Sequence, residues 1–269
     1  PAIVAGNTVI WKPATETPLM ARELVKILDE AGLPKGVMNL VCGSGSEVGT
    51  ALVEHPDIDV ISFTGSNEVG RTIAEKGGKL LKRVSLEMGG KNAVIVMEDA
   101  DLSLAVEGII WSAFGTSGQR CTACSRVIVH ENVKAELEKR LLQEMKKLTI
   151  GNGLNEDVKI GPVINKSALK KIHEFVEMGQ KEGADLLAGG YIVKEKNLDG
   201  GNYYAPTLFT NVRPDMRIAQ EEIFGPVLSI IPVRSFEEAV EVNNSVAYGL
   251  SSSIYTRDVN RVFAAQRDI

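Results

Sequence analysis

The 269-residue sequence predicts an α/β protein: an open parallel sheet with helices packed on it, followed by a second α/β domain. Strand-like and helix-like segments alternate without a break up to residue 88, and the alternation resumes at a looser spacing to the end of the chain. With 44% hydrophobic but only 5% aromatic residues, the core must be built from aliphatic side chains.

The elements follow in order. TVIWK (8–12) reads as a strand. TPLMARELVKILDEAG (17–32) reads as a helix, because Leu24, Ile27 and Leu28 share one face and Gly32 followed by Pro34 stops it. GVMNLV (36–41) is a short apolar strand, SEVGTALVEH (46–55) a helix, DVISF (59–63) a strand, NEVGRTIAEKG (67–77) a helix and KRVSLEM (82–88) a strand. The boundary is expected near EMGG (87–90), giving a first domain over 1–88 and a second over 89–269. In the second, KNAVIVM (91–97) is a strand, and ADLSLAVEGIIWSAFG (100–115) is a helix opened by Asp101. SRVIVHE (125–131), PVLSIIPV (226–233) and LSSSIYTR (250–257) are strands, while 132–148, 166–183 and 236–245 carry helical patterns. The polar stretch KEKNLDGGN (194–202) reads as a loop.

The bulk properties exclude several function classes. A net charge of −5 is not the footprint of a nucleic-acid binder. No apolar run approaches the ~18 residues of a membrane span, and no signal peptide is visible. Three scattered cysteines fit a reducing, cytoplasmic compartment, and no His or Cys spacing suits a metal. The chain begins at Pro1, enters a strand almost at once and stops on a helical segment, which predicts an internal piece of a longer protein.

Two glycine-serine turns follow strands and open helices. GSGSEVG (43–49) departs from the usual dinucleotide fingerprint by one residue. FTGSNEVG (63–70) repeats the arrangement, with Gly65 and Ser66 at the turn and Ser66 positioned to cap. Helix N-termini attract phosphate, and two such turns at neighbouring strand ends converge on the crevice where open parallel sheets bind nucleotides.

Two of the cysteines, Cys121 and Cys124, lie three residues apart in the glycine-rich stretch FGTSGQRCTACSR (114–126). One reading is a redox pair, although such motifs open a helix after a strand and the order here is reversed. A second is a metal site, which lacks further ligands. A third is a single nucleophile, Cys121, with Cys124 as a small core residue. A thiolate attacking a carbonyl then needs a group to activate water, and Glu87 in SLEMGGKN, where the chain leaves the sheet, is the candidate.

WKP (11–13), FTGS (63–66), LEMGGKN (86–92), FGTSGQRCTA (114–123) and EEIFGPV (221–227), in that order, resemble the motifs of the aldehyde dehydrogenase superfamily. The resemblance covers essentially the whole chain. It implies a Rossmann-like nucleotide-binding domain, partial here, followed by a catalytic domain. It assigns Cys121 as the nucleophile and Glu87 as the base that activates the deacylating water. It assigns Lys12 to the adenosine ribose, the Gly65–Ser66 turn to the pyrophosphate, Glu222 to the nicotinamide ribose and Phe224 to packing near the nicotinamide, with no metal. The implied reaction oxidises a small-molecule aldehyde to a carboxylic acid with NAD or NADP, through a thiohemiacetal and a thioester, in a homo-oligomer (dimer or tetramer). An acylating member that transfers to coenzyme A is a close rival, and a thiol-redox protein is a distant one. SSSIYTRD (251–258) and the GQRC context resemble branches acting on small semialdehydes.

The chain departs from the pattern in two places. The family's oxyanion asparagine would precede Pro1, and Asn7 lies too close to Lys12 to be it. Loss of one oxyanion donor typically costs about 10²–10³ in rate, so the chain as given is expected to be inactive or weakly active beside its parent. Three residues after Lys12, where many NAD-preferring members carry a glutamate, stands Thr15, with Glu16 one further on. A hydroxyl repels a 2′-phosphate less than a carboxylate does, so NADP is expected to be tolerated.

Overall fold

The computed structural model describes residues 1–194, 198 and 200–269. The stretch expected as a loop at 194–202 therefore lies partly outside the described residues. The chain divides into two compact units, Pro1–Met88 and Gly89–Ile269.

In the first unit, β1 (Val9–Trp11) pairs in parallel with β2 (Met38–Leu40), joined by α1 (Pro18–Glu30). Then β3 (Val60–Thr64) pairs in parallel with β4 (Arg83–Glu87), joined by α3 (Asn67–Lys79). Between the ladders the chain makes a π-helical turn, Gly45–Gly49, that runs into α2 (Thr50–Glu54). The helix expected over 46–55 is thus a wide turn followed by a short α-helix. Pro18 starts α1 and Gly32, at φ 88°, follows its end. Its apolar stripe stays half exposed: Leu24 is 47% and Ile27 59% accessible.

The single open sheet expected of this unit is present as two parallel ladders. Paired strands lie about 4.8 Å apart. Here a cleft of about 270 Å³, lined by Ile10 and Trp11 on one side and Ile61 and Phe63 on the other, separates β1 from β3.

The second unit contains β5 (Ala93–Val96), α4 (Leu102–Phe114), β6 (Arg126–His130), α5 (Glu131–Met145), α6 (Lys166–Lys181), β7 (Asp185–Ala188) and β8 (Thr207–Thr210). It continues with α7 (Arg217–Gln220), β9 (Val227–Val233), α8 (Phe236–Asn244), β10 (Ser252–Tyr255) and α9 (Val259–Asp268). Six strands form one sheet in the order β10-β5-β6-β9-β8-β7. All neighbours are parallel except β7, which runs antiparallel to β8 on the edge.

A core lies on each face of this sheet, divided by the period-2 alternation of its strands. Ala93, Ile95, Ile128, Val227 and Ile231 face one core with Ile172, Phe175 and Phe209. Val94, Val96, Val127, Val129, Leu228 and Ile230 face the other with Ile109, Phe114 and Leu137. Asp101 caps α4, its carboxylate accepting from the amides of Ser103 and Leu104. Among the described residues no helix is long and apolar enough to cross a membrane.

Candidate active site

In the first unit, the sequence-predicted residues gather at strand ends. Gly65 and Ser66 follow β3, and Glu87 ends β4. Thr64 is in register with Glu87, and the Gly65 amide donates to the Glu87 carbonyl at 3.0 Å. Ser66 caps α3, its hydroxyl accepting from the Val69 amide. Ser44 does the same for the Glu47 amide one turn earlier. The ammonium of Lys12 donates to the carbonyls of Pro13 at 2.7 Å and Gly43 at 3.4 Å, so it is held against the first of these turns with one N–H left over. The Glu87 side chain is exposed.

In the second unit, Cys121 sits on a turn between α4 and β6. Thr116, Ser117 and Gly118, at φ 54°, 56° and 68°, form a left-handed run just before it. Such backbone costs about 1–3 kcal/mol per non-glycine residue and persists only where the surroundings hold it. They do so here: the Ser117 hydroxyl donates to the Gly161 carbonyl at 2.7 Å, and the Gln119 carboxamide accepts from the Ile164 amide at 2.8 Å. The thiol residue is pinned as well. Asn92 donates to the carbonyls of Cys121 at 2.7 Å and Ala123 at 3.0 Å, and its own side-chain oxygen accepts from the Ser251 amide.

The neighbours of Cys121 separate cleanly. Arg120 turns away, its guanidinium stacked 4.2 Å from the Trp111 ring centroid and donating to the Trp111 and Ser112 carbonyls. Cys124 is buried in the core, where desolvation pushes its thiol up to about 12. Cys121 is partly accessible, and all three cysteines are free thiols. The chemistry available at this turn is therefore that of one thiol.

Glu222 and Phe224 lie on the segment between α7 and β9. The Gly90 amide donates to the Glu222 carboxylate at 3.3 Å, and burial raises the pKa of that carboxyl above the ordinary value. A side chain at Gly89 would collide with the same carboxylate. Of the paired glycines of LEMGGKN, Gly89 thus makes room for Glu222, while a side chain at Gly90 would meet Asn92 and the Cys121 carbonyl. Phe224 is 40% exposed at a left-handed φ of 60°.

Sequence reasoning missed Asn92 and two cations beside it. Lys91 and Arg126 are each 2% exposed. Arg126 donates to the carbonyls of Lys91, Val242 and Asn243, and the Lys91 ammonium has no hydrogen-bond partner among the described residues. The available signal was weak: a Lys-Asn pair directly before an apolar strand.

Three comparisons bear on this geometry. The model of the aldehyde dehydrogenase family matches residues 1–269. The chain belongs to the aldehyde dehydrogenase family. It is 47% identical over 264 residues to an alpha-ketoglutaric semialdehyde dehydrogenase of Bacillus subtilis, covering 98% of this chain and 54% of that protein. It is 44% identical to a 1-pyrroline-5-carboxylate dehydrogenase of Bacillus licheniformis, covering 99% and 52%. Among solved structures, a 1-pyrroline-5-carboxylate dehydrogenase from Thermus with bound NAD superposes at a TM-score of 0.94 with 43% identity, over 99% of this chain and 52% of that one. An NAD-dependent aldehyde dehydrogenase from Sinorhizobium meliloti superposes at 0.96 with 41% identity, over 100% and 53%. The chain spans about half the length of the curated relatives it matches.

The buried lysine of this member of the aldehyde dehydrogenase family predicts a pH dependence. Desolvation, then the nearby charge of Arg126, pushes Lys91 down to about 7, against the attraction of Glu222, Cys124 and Glu221. The unfolded lysine titrates near 10.4. Between about 7 and 10 the unfolded chain therefore binds more protons than the folded one. The contribution is complete above the unfolded value and is lost as pH falls through the folded one. Stability is expected to rise by roughly 1–2 kcal/mol from pH 7 to 8.5 in denaturant titrations. Cys124 acts in the opposite direction from about pH 8.5 upward, where the unfolded thiol loses a proton that the buried one keeps, and so trims the rise at its upper end. Lys91→Met should flatten the profile; an unchanged slope in that variant would exclude Lys91 as its source.

Proposed function

We propose that the protein oxidises an aldehyde to a carboxylic acid with NAD or NADP, using Cys121 as nucleophile and Glu87 as general base. The observation that carries this reading is the Cys121 turn: a partly accessible thiol, held at its carbonyl by Asn92, beside a second thiol that is buried and protonated. The Cys121 thiolate attacks the carbonyl carbon and forms a thiohemiacetal. Its collapse expels hydride and leaves a thioester on Cys121. Glu87 then takes a proton from water, the hydroxide attacks the thioester, and the acid departs as the thiolate re-forms.

When bound, the nicotinamide cofactor supplies the hydride acceptor. The side chains present suit it chemically: the spare N–H of Lys12 for a ribose, the Ser66-capped start of a 13-residue helix for a phosphate, and the partly buried carboxylate of Glu222 for the second ribose. Phe224 would pack near the nicotinamide, and Thr15 leaves room for NADP as well as NAD. On this reading Pro1–Met88 is a partial dinucleotide-binding domain and Gly89–Ile269 the catalytic domain. The name of the Bacillus subtilis relative supports a small semialdehyde as substrate. Cytoplasmic homo-oligomers without membrane or nucleic-acid partners complete the proposal.

The test is a single turnover with succinic semialdehyde and NAD⁺ or NADP⁺, quenched in acid and mapped by peptide mass spectrometry. A succinyl group on Cys121 is expected. Reduced nicotinamide appearing with no acyl group ever found on Cys121, even when Glu87 is replaced, would refute the assignment.

A further inference from the structure

Type I and type II β-turns differ by a flip of the central peptide, and the type II form needs a positive φ at the third residue. Cys121 lies in such a turn. The Arg120 carbonyl accepts from the Ala123 amide at 3.0 Å, so Cys121 and Thr122 are the two central residues. Thr122 is not among the residues with positive φ, so the central peptide stands in the type I sense. Its carbonyl is that of Cys121, and Asn92 holds it. The Asn92 carboxamide nitrogen donates to the Cys121 carbonyl at 2.7 Å and to the Ala123 carbonyl at 3.0 Å, while its oxygen accepts from the Ser251 amide at 3.1 Å. Two acceptors and one donor fit a carboxamide in one orientation only. A carboxylate would set an acceptor against both carbonyls, and an alkyl group would leave all three partners without this bond.

Asn92 is itself fixed. It is 5% exposed, and its main-chain carbonyl accepts from the amides of Ser125 at 3.2 Å and Arg126 at 3.1 Å, which ties it to the start of β6. Gly90 clears the space in between. A Cβ there would stand 2.6 Å from the Asn92 carboxamide oxygen and 2.8 Å from the Cys121 carbonyl oxygen, where the side chain meets the turn. We propose that Asn92 is a positioning residue for the nucleophile: it locks the central peptide of the thiol turn, and so the direction in which Cys121 is presented, with Gly90 leaving room for the clamp. The proposal rests on the reading of Cys121 as nucleophile. A donor on the Cys121 carbonyl offsets the negative end of that dipole. Without it, the oxygen opposes a thiolate on the same residue and raises the thiol pKa.

The three cysteines allow the test, because Cys121 reports on the turn, the exposed Cys42 on the reagent and the buried Cys124 on the core. The unaltered chain and Asn92→Ala are pulsed with iodoacetamide across about pH 6 to 10, and each cysteine is quantified by peptide mass spectrometry. In the unaltered chain Cys121 should outpace Cys42 at neutral pH. In Asn92→Ala the midpoint of the Cys121 profile should rise by about one pH unit, slowing its labelling at neutral pH about tenfold, with Cys42 unchanged and Cys124 unlabelled. A merely structural role would loosen the turn and speed Cys121 at every pH without moving the midpoint. That result, or an unchanged profile, overturns the proposal. Cys121 reacting no faster than Cys42 in the unaltered chain overturns instead the nucleophile reading beneath it, and the proposal with it. Should Asn92→Ala not fold, Cys124 labels as fast as Cys42, and hydrogen exchange in the unaltered chain decides. The carboxamide protons of Asn92 should exchange about tenfold or more slowly than those of the exposed Asn152, and equal exchange overturns the clamp.

Discussion

Replacing Cys121 with serine is expected to lower dehydrogenase turnover by on the order of 10⁴-fold or more, with the fold retained. A serine hydroxyl fills nearly the same volume, and the hydrogen bond that Asn92 donates goes to the main-chain carbonyl, so the turn survives the change. What is lost is the thiolate. Serine stays protonated near neutral pH, and its two neighbouring side chains supply no base: Arg120 is committed to the end of α4 and Thr122 is exposed. Glu87→Gln should fail at a different step. Without a base for water, hydride transfer proceeds once and the thioester accumulates, slowing steady turnover by about 10²–10⁴. Stopped-flow measurement of reduced nicotinamide separates the two: no burst for Cys121→Ser, a burst followed by a slow phase for Glu87→Gln. Because the chain spans about half of its curated relatives, the measurement belongs on the longer protein as well as on this chain. Serine at full rate would remove Cys121 from the chemistry.

Gly118→Ala is expected to destabilise the second unit by about 3 kcal/mol. Two costs combine. The backbone at Gly118 is left-handed, at φ 68°, where an L side chain is strained. The added methyl would also collide with the main chain of the following segment, meeting the Gly225 carbonyl oxygen, its carbon at 2.5 Å and the Pro226 nitrogen at 3.0 Å. None of these atoms is the tip of a flexible side chain, so either the turn or the start of β9 must move. Gly115→Ala is the control. A methyl there meets only the Arg120 guanidinium at 3.5 Å, an ordinary contact, and the effect should stay within about 0.5 kcal/mol. Denaturant titration of both variants decides the matter; equal stabilities would mean that the turn yields freely and is not held in its left-handed form. If Gly118→Ala folds, iodoacetamide should also label Cys121 at an altered rate, because the same turn carries the thiol.

The elements that could be read from the chain are those with a local cause. The apolar runs at β5, β6 and β9 are buried on both faces, as near-continuous Val, Ile and Leu strands between helices require. Ser66 and Asp101 cap their helices through amides two or three residues away. The four-residue strands β7 and β8 escaped notice because DLLA and TLFT are too short to show a period. The π-helical turn at Gly45–Gly49 has the composition of an ordinary helix start, and only its hydrogen bonding differs.

By itself the sequence determined the α/β class, the five motifs in family order and the singling out of Cys121 and Glu87. Each of these rests on residue types at short, regular spacings along the chain. The tertiary structure alone decided that Arg120 leaves the thiol, that Glu222 meets the amide of Gly90 132 positions earlier, and that Arg126 is bound by carbonyls 35, 116 and 117 positions away. Such partners come from segments that meet only when the sheet assembles. A charged side chain carries no local mark of whether it will end in water or, like Lys91, buried beside a second cation.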